Sequence, residues 1–285
     1  MKKTFYSIYM KLSKFIPSKL FVFLNYTIRH KRIPNMRNPQ RYTEKLQLKM
    51  IGNQMIKYTD FVDKYKVRGY IEEKIGEKYL INLVGVYDNV EEIDFNSLPN
   101  QFVLKTNHGS GYFIICKEKQ LLNIDECKIK LTKWMKENFY NKCKEKQYKN
   151  INRKIICEEL ICDLNDNFLD CRVYCFNGRP EFIQIDEGFS DGNTKRNHYD
   201  LEWNLLKMKM KYDFIERNIE KPQKLNEIIT LSEKLSQEFD FVRVDFYLSD
   251  EKIYFSELTF SPAGGRQKLE PDKYDFILGE KLVLD

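Results

Sequence analysis

The segment Phe241-Val-Arg-Val-Asp-Phe-Tyr-Leu-Ser-Asp-Glu-Lys-Ile-Tyr-Phe-Ser-Glu-Leu-Thr259 constrains the fold more tightly than any other stretch of the chain. It reads as two β-strands, 241–248 and 253–259, joined by a short polar turn and therefore antiparallel. Side chains alternate across a strand, so Arg243 and Asp245 share one face while Val242, Val244 and Phe246 share the other. Glu257 and Thr259 share a face of the second strand in the same way. A three-residue loop, 250–252, sets Asp245 opposite Glu257 and Arg243 opposite Thr259, whereas a two-residue loop puts the carboxylates on opposite faces. Carboxylates about 4 Å apart repel by roughly 4 kcal/mol at an effective dielectric near 20, and a favourable cross-strand pair returns only about 0.2–1 kcal/mol. Something positive must sit between them, or one must be protonated. Mg2+ meets the need with oxygen ligands and keeps positions open for phosphate oxygens. The plainer reading is a solvated hairpin face with a local Arg243–Asp245 pair.

A second constellation is Phe102-Val-Leu-Lys-Thr-Asn-His-Gly-Ser-Gly-Tyr-Phe-Ile-Ile115. Strands are expected at 101–105 and 112–117, with Lys105 ending the first. The intervening Asn107, His108, Gly109, Ser110 and Gly111 form a small, flexible loop able to turn backbone N–H groups toward phosphates. No Gly-Lys-Ser/Thr follows and the third glycine of a dinucleotide fingerprint is absent, which excludes a P-loop and a Rossmann turn. A plain hairpin loop is the competing reading.

The rest of the chain reads as mixed strands and helices without βαβ alternation, hence α+β with antiparallel sheets. Helical spacing places Phe5, Ile8, Tyr9, Leu12, Phe15 and Ile16 on basic amphipathic helices within residues 1–55. Further helices are expected from Thr59 or Asp60 to Ile75, over 123–147 and over 222–239. Strands are expected at 154–161, 170–176 and 181–186, the last two joined by an Asn177-Gly178 turn. Lys195-Arg196 reads as a basic patch in a loop.

Charge is unevenly placed. Residues 1–50 carry twelve Lys/Arg against one acid, Glu44, while the other 235 hold 36 Lys/Arg against 41 Asp/Glu. A basic arm on a mildly acidic body points to an anionic partner surface, and residues 1–32 are expected on an anionic membrane face. Lys11, Lys14, Pro17 and Lys19 interrupt any signal-peptide apolar core, so a cytoplasmic start is expected, with the arm peripheral on the inner membrane face. Seven cysteines without a CxxC and only three histidines exclude a zinc framework and suit reduced, buried thiols. No DNA- or RNA-binding motif appears, and no nucleic-acid partner is expected.

In this order the motifs resemble the ATP-grasp superfamily, and specifically its teichuronic-acid-biosynthesis (TupA-like) branch. The resemblance covers about residues 42–280. It rests on Asp63-Lys-Tyr-Lys-Val-Arg68, Gln101-Phe-Val-Leu-Lys-Thr-Asn-His-Gly-Ser-Gly111, Cys157-Glu-Glu-Leu-Ile161, Phe176-Asn-Gly-Arg-Pro180, Phe241-Val-Arg-Val-Asp245 and Phe255-Ser-Glu-Leu-Thr-Phe-Ser-Pro262. It implies two α+β lobes clasping ATP, at 56–153 and 154–285, after a basic helical segment at 1–55. It also implies that Lys64 and Lys105 bind the phosphates under a lid formed by 107–111. Glu158, Glu159, Leu160 and Ile161 would form the adenine hinge, with one acid near the ribose, and Lys195 or Arg196 would reach the phosphates. Asp245, Glu257 and Thr259 would hold Mg2+, with Arg243 steadying the transferring phosphoryl group. Thr259 stands where the family usually has Asn, and the usual N-terminal substrate lobe is mostly missing.

The implied activity is ATP-dependent ligation of a carboxylate to an amine through an acyl phosphate. The implied substrates are an amino acid or amino sugar and a uronic-acid-containing surface glycan or its precursor. A membrane-peripheral glycosyltransferase is the alternative, and the absence of any Asp-x-Asp weighs against it.

Overall fold

Strand alternation resolves into two antiparallel sheets in the computed structural model, which describes residues 15–161, 169–188, 193–249 and 251–284. The strands are β1 (Leu83–Tyr87), β2 (Phe102–Thr106), β3 (Phe113–Cys116), β4 (Ile155–Glu159), β5 (Leu169–Phe176), β6 (Arg179–Glu187), β7 (Lys195–Tyr199), β8 (Lys209–Met210), β9 (Phe241–Leu248), β10 (Ile253–Thr259) and β11 (Leu269–Glu270). The longer helices are α1 (Ser18–His30), α2 (Tyr42–Met50), α3 (Val67–Ile75), α4 (Ile124–Lys136), α5 (Leu225–Ser236) and α6 (Lys273–Lys281). The first sheet has the order β1-β4-β2-β3 and the second β10-β9-β5-β6-β7, with β8 and β11 as a small separate pair.

Each sheet buries one face against a helix. Phe102, Leu104, Ile155 and Cys157 pack with Cys127 and Leu131 of α4. In the second sheet Val173, Ile183, Val242 and Val244 pack with Ile228, Leu231 and Leu235 of α5. At roughly 1.5–3 kcal/mol per buried apolar side chain, these two interfaces fix which face of each sheet is left for chemistry. The opposite face of the second sheet is divided. Its end near the β5–β6 turn carries Tyr174, Phe176, Phe182 and Phe241, covered by Tyr42 and Leu46 of α2 and Leu278 of α6. Asn177 and Gly178 in that turn both have positive φ, 51° and 75°, as a two-residue hairpin of this twist requires.

Several expectations are corrected. β4 pairs with both β1 and β2, so the first sheet extends through Glu159 and the two sheets divide after it, not at 153. Residues 18–50 pack on the body: Tyr42 and Leu46 lie in the second sheet's core, and Arg32 and Arg41 pair with Asp272 and Asp275 at the start of α6. The helix expected from Thr59 to Ile75 breaks at Asp63, whose backbone is extended and whose carboxylate accepts from the N–H groups of Tyr65 and Lys66. The helix expected over 123–147 stops at Lys136. Lys195-Arg196 lies in strand β7, not in a loop. The helical spacing of Phe5, Ile8, Tyr9 and Leu12 falls outside the described residues, as does Cys162; the six described cysteines are buried free thiols. Among the described residues no helix is long and apolar enough to cross a membrane.

Candidate active site

The uncovered end of the second sheet's polar face belongs to β10, β9, β5, β6 and β7. Pairing sets Glu257 opposite Asp245 and Thr259 opposite Arg243, and on the other side of β9 it sets Arg172 opposite Asp245. The expected facing pair is thus present, but the turn does not produce it. Leu248 pairs with Ile253, and the Ser249 N–H donates to the Lys252 carbonyl. That even register, continued, would set Glu257 opposite Val244. A bulge between Phe255 and Glu257 shifts the register by one. It lets Phe255 stay in the core and still turns Glu257 outward, although the two residues are only two apart.

Arg243 supplies the positive charge between the acids. Its Nε and Nη2 donate to the two Asp245 oxygens at 2.6 and 2.5 Å, and Nη2 lies 3.5 Å from Glu257 Oε1. Thr259 Oγ1 accepts from Arg243 Nη2 at 3.2 Å and donates to Glu257 at 3.1 Å. Burial pushes the Asp245 carboxyl up to about 7 against the pull of Arg243 and Arg172. Burial also raises Glu257, but Lys64, Arg243 and Arg172 outweigh it and hold that carboxyl below its usual range.

Lys64 comes from the turn between the short helix Thr59–Val62 and α3, whose Val62, Val67 and Ile71 pack in the second sheet's core. The break at Asp63 takes it off the helix and into the cleft, where its backbone N–H donates to the Asn107 carbonyl and its Nζ donates to Gly109 O at 2.7 Å. Lys105, on the cleft face of β2, lies 2.6 Å from Glu158 on β4, and Arg68 reaches the other oxygen of that carboxylate at 3.2 Å. Phe113 and Ile115, paired with Lys105 and Val103, stand exposed on the same face. Gly109 and Gly111 have φ of 81° and 78°, and a Cβ on Gly109 would meet the Phe139 ring at 2.9 Å. The loop is therefore bound to glycine at both positions.

Several expected ligands point elsewhere. His108 is buried with Nε2 at 3.2 Å from the Trp134 and Glu137 carbonyls, and burial and Arg153 push its pKa down to about 4. Asn107 ties the loop to the β4 approach, donating to Asn152 O and accepting from the Lys154 N–H. Within 107–111 only Ser110 and Gly111 are exposed. Glu159 alternates to the far face and accepts from Asn82, while Leu160 and Ile161, half-buried, follow the strand as the link between sheets. Lys195 sits on the face opposite the cleft by alternation and pairs with Glu216. Arg196 is on the cleft face but is buried and bound bidentately by Asp186 at 2.5 and 2.6 Å. Neither is placed as a phosphate ligand.

The structure adds residues that the sequence reading passed over. Arg172 lies 3.1 Å from Asp186 and 3.8 Å from Asp245 and also binds Asp170, forming a row of alternating charge across β9, β5 and β6. The signal was present: Asp170-Cys-Arg172 repeats the alternate acid–arginine spacing of Arg243-Val-Asp245. Glu145, buried and raised by burial, accepts from Ser261 and so anchors the loop that follows β10. Contacts this distant in sequence carry no local signature.

The two acids and the hydroxyl offer oxygen donors only, and Arg243 holds both Asp245 oxygens. Among the described residues, no three His, Cys, Asp or Glu are grouped to hold a metal. Asp245 and Glu257 instead make a two-carboxylate set with a hydroxyl beside it, the all-oxygen environment in which Mg2+ is completed by water and phosphate.

The family described as TupA-like ATPgrasp matches residues 44–283. Among solved structures, D-alanine–D-alanine ligase from Bacillus anthracis is similar at 16 % identity and TM-score 0.44, over 72 % of this chain and 59 % of that one. The ATP-grasp ligase PsnB, complexed with a precursor variant, Mg and ADP, is similar at 10 % identity and TM-score 0.44, over 79 % and 59 %. N5-carboxyaminoimidazole ribonucleotide synthetase from Thermus thermophilus follows at 10 % and 0.40, over 70 % and 45 %. The chain thus spans less than two thirds of each of these proteins. No curated protein matches it.

Proposed function

Because this chain belongs to the TupA-like ATP-grasp family, we propose that it is an ATP- and Mg2+-dependent carboxylate–amine ligase. Its product would be an amide on a bacterial surface polysaccharide or a precursor of one. The observation that carries the reading is the position of Lys64, which stands near Lys105 and Glu158 of the first sheet and Glu257 of the second, with Arg243 beside that carboxylate.

A substrate carboxylate oxygen attacks the γ-phosphorus of ATP, and ADP leaves with the electrons of the broken P–O bond. The amine nitrogen then attacks the acyl carbon. Phosphate departs, and the amine loses a proton to water. Lys64, Lys105 and the backbone N–H groups of Gly109–Gly111 hold the phosphates. Phe113 and Ile115 offer an apolar surface to the base. Arg243 and Arg172 stabilise charge on the transferring group, a role that preorganised cations fill without reorganising during the reaction. Asp245 and Glu257, beside Thr259, would hold Mg2+, which would offset phosphate charge. No residue need act as a covalent nucleophile.

Purified protein is incubated with ATP, Mg2+, a uronic acid or glycan bearing one, and an amino acid or amino sugar. ADP release that requires both acceptor and amine, with an amide seen by mass spectrometry, is the expected result. Thermal stabilisation by UDP-sugars and none by ATP would refute the reading.

A further inference from the structure

We propose that the outward face of α1 docks on an anionic lipid bilayer. Helix α1 has two apolar stripes. One, built from Phe21, Val22 and Tyr26, is buried in the body. The other runs Leu20, Phe23, Thr27 and Ile28, the i, i+3, i+7, i+8 spacing of a second helix face, with Leu24 at its border packed against the body. On it Leu20 is 49 % and Ile28 45 % exposed, and flanking it Phe15 is 74 % and Ile33 73 % exposed. A surface helix normally turns polar residues outward, so an apolar outer stripe calls for a non-aqueous partner.

Charge selects that partner. Residues 1–43 contain ten Lys/Arg and no Asp or Glu. Arg32 and Arg41 turn inward to Asp272 and Asp275, while Lys19 and Lys31 lie exposed at the two ends of the outer stripe. Apolar side chains between cations match the acyl boundary and headgroups of an anionic leaflet. A protein partner would need a complementary acidic rim around an apolar centre. The buried face of the same helix holds the loop that follows β10: His30 Nε2 lies 2.9 Å from the carbonyl of Gly265.

The test is co-sedimentation of the full chain with vesicles of equal parts phosphatidylcholine and phosphatidylglycerol, against phosphatidylcholine alone. Binding to the anionic vesicles, weakened by salt, is expected. Lys19→Gln with Lys31→Gln lowers partitioning about fivefold per cation removed, and Leu20→Glu with Ile28→Glu abolishes it without lowering the melting temperature. Three results overturn the proposal: wild-type protein left in the supernatant at low salt, undiminished sedimentation of the Leu20→Glu/Ile28→Glu variant, or a dimer seen by light scattering that this variant dissolves. The lysine pair keeps the test decisive if the glutamate pair fails to fold. The result is independent of ADP release, so it stands or falls apart from the ligase reading.

Discussion

Replacing Arg196 with Met separates a strut from a phosphate ligand. In the folded protein its guanidinium grips both Asp186 oxygens at 2.5 and 2.6 Å and donates to Gln267 at 3.2 Å, with the pair almost wholly buried. Breaking a buried pair from one side typically costs about 3–5 kcal/mol, because the remaining charge keeps its desolvation penalty. Asp186 retains Arg172 at 3.1 Å and the Gln184 amide, which places the expected loss near the lower bound, about 3 kcal/mol. At roughly 2–4 °C per kcal/mol for a domain of this size, the melting temperature falls by about 6–12 °C. Burial raises the Asp186 carboxyl, but Arg196 and Arg172 outweigh it and hold it below the usual range. A carboxyl so held binds fewer protons when folded. Its contribution is complete above about pH 4 and is lost as the pH falls through the folded value. The gap between wild type and variant, measured by urea unfolding, therefore narrows in acid. The KM for ATP stays within twofold of wild type by this reasoning. An unchanged melting temperature combined with a tenfold rise in that KM would make Arg196 a phosphate ligand and refute it.

Four further outcomes are expected. Lys105→Met leaves Glu158 with Arg68 alone, and ADP release should fall by about 10²–10³, the usual effect of removing one preorganised electrostatic contact; activity within threefold of wild type contradicts the assignment. Glu257→Gln raises the Mg2+ concentration needed for half-maximal turnover, as a metal titration of the steady-state rate would read. Burial and neighbouring cations push His108 to about 4 and His198 to about 3, so their neutral forms stabilise the fold above about pH 6.5 and that stability is lost as the pH falls. Each contributes a loss of about 2 kcal/mol by pH 5, and a flat unfolding free energy between pH 7 and pH 5 would count against this. Deleting Ser256 removes the bulge while leaving Glu257 opposite Asp245, so activity is retained; deleting Leu258 turns Thr259 into the core and abolishes soluble protein or turnover.

Residues 241–259 and 102–115 show where sequence reading succeeds and where it stops. Alternation determined that Arg243 and Asp245 share a face, that Val242 and Val244 oppose them, and that Lys105 ends a strand before a loop needing glycine. These are properties of the backbone within a few residues, and the side chains carry them openly. The pairing of Asp245 with Glu257 was also legible, but for a different reason than loop length: the bulge at Ser256 is set by the need to bury both Phe255 and Leu258 against a core that lies elsewhere in the chain. His108, Asn107 and Arg196 look like ligands in sequence because they are polar and near glycine or lysine. Only packing shows that Trp134, Asn152 and Asp186 have already engaged them. Arg172 was hidden for the converse reason, since its meaning depends on Asp186 and Asp245 in neighbouring strands. Short-range periodicity fixes faces and turns; which polar group stays available is decided by long-range neighbours, because a buried charge must be satisfied by whatever the fold brings beside it.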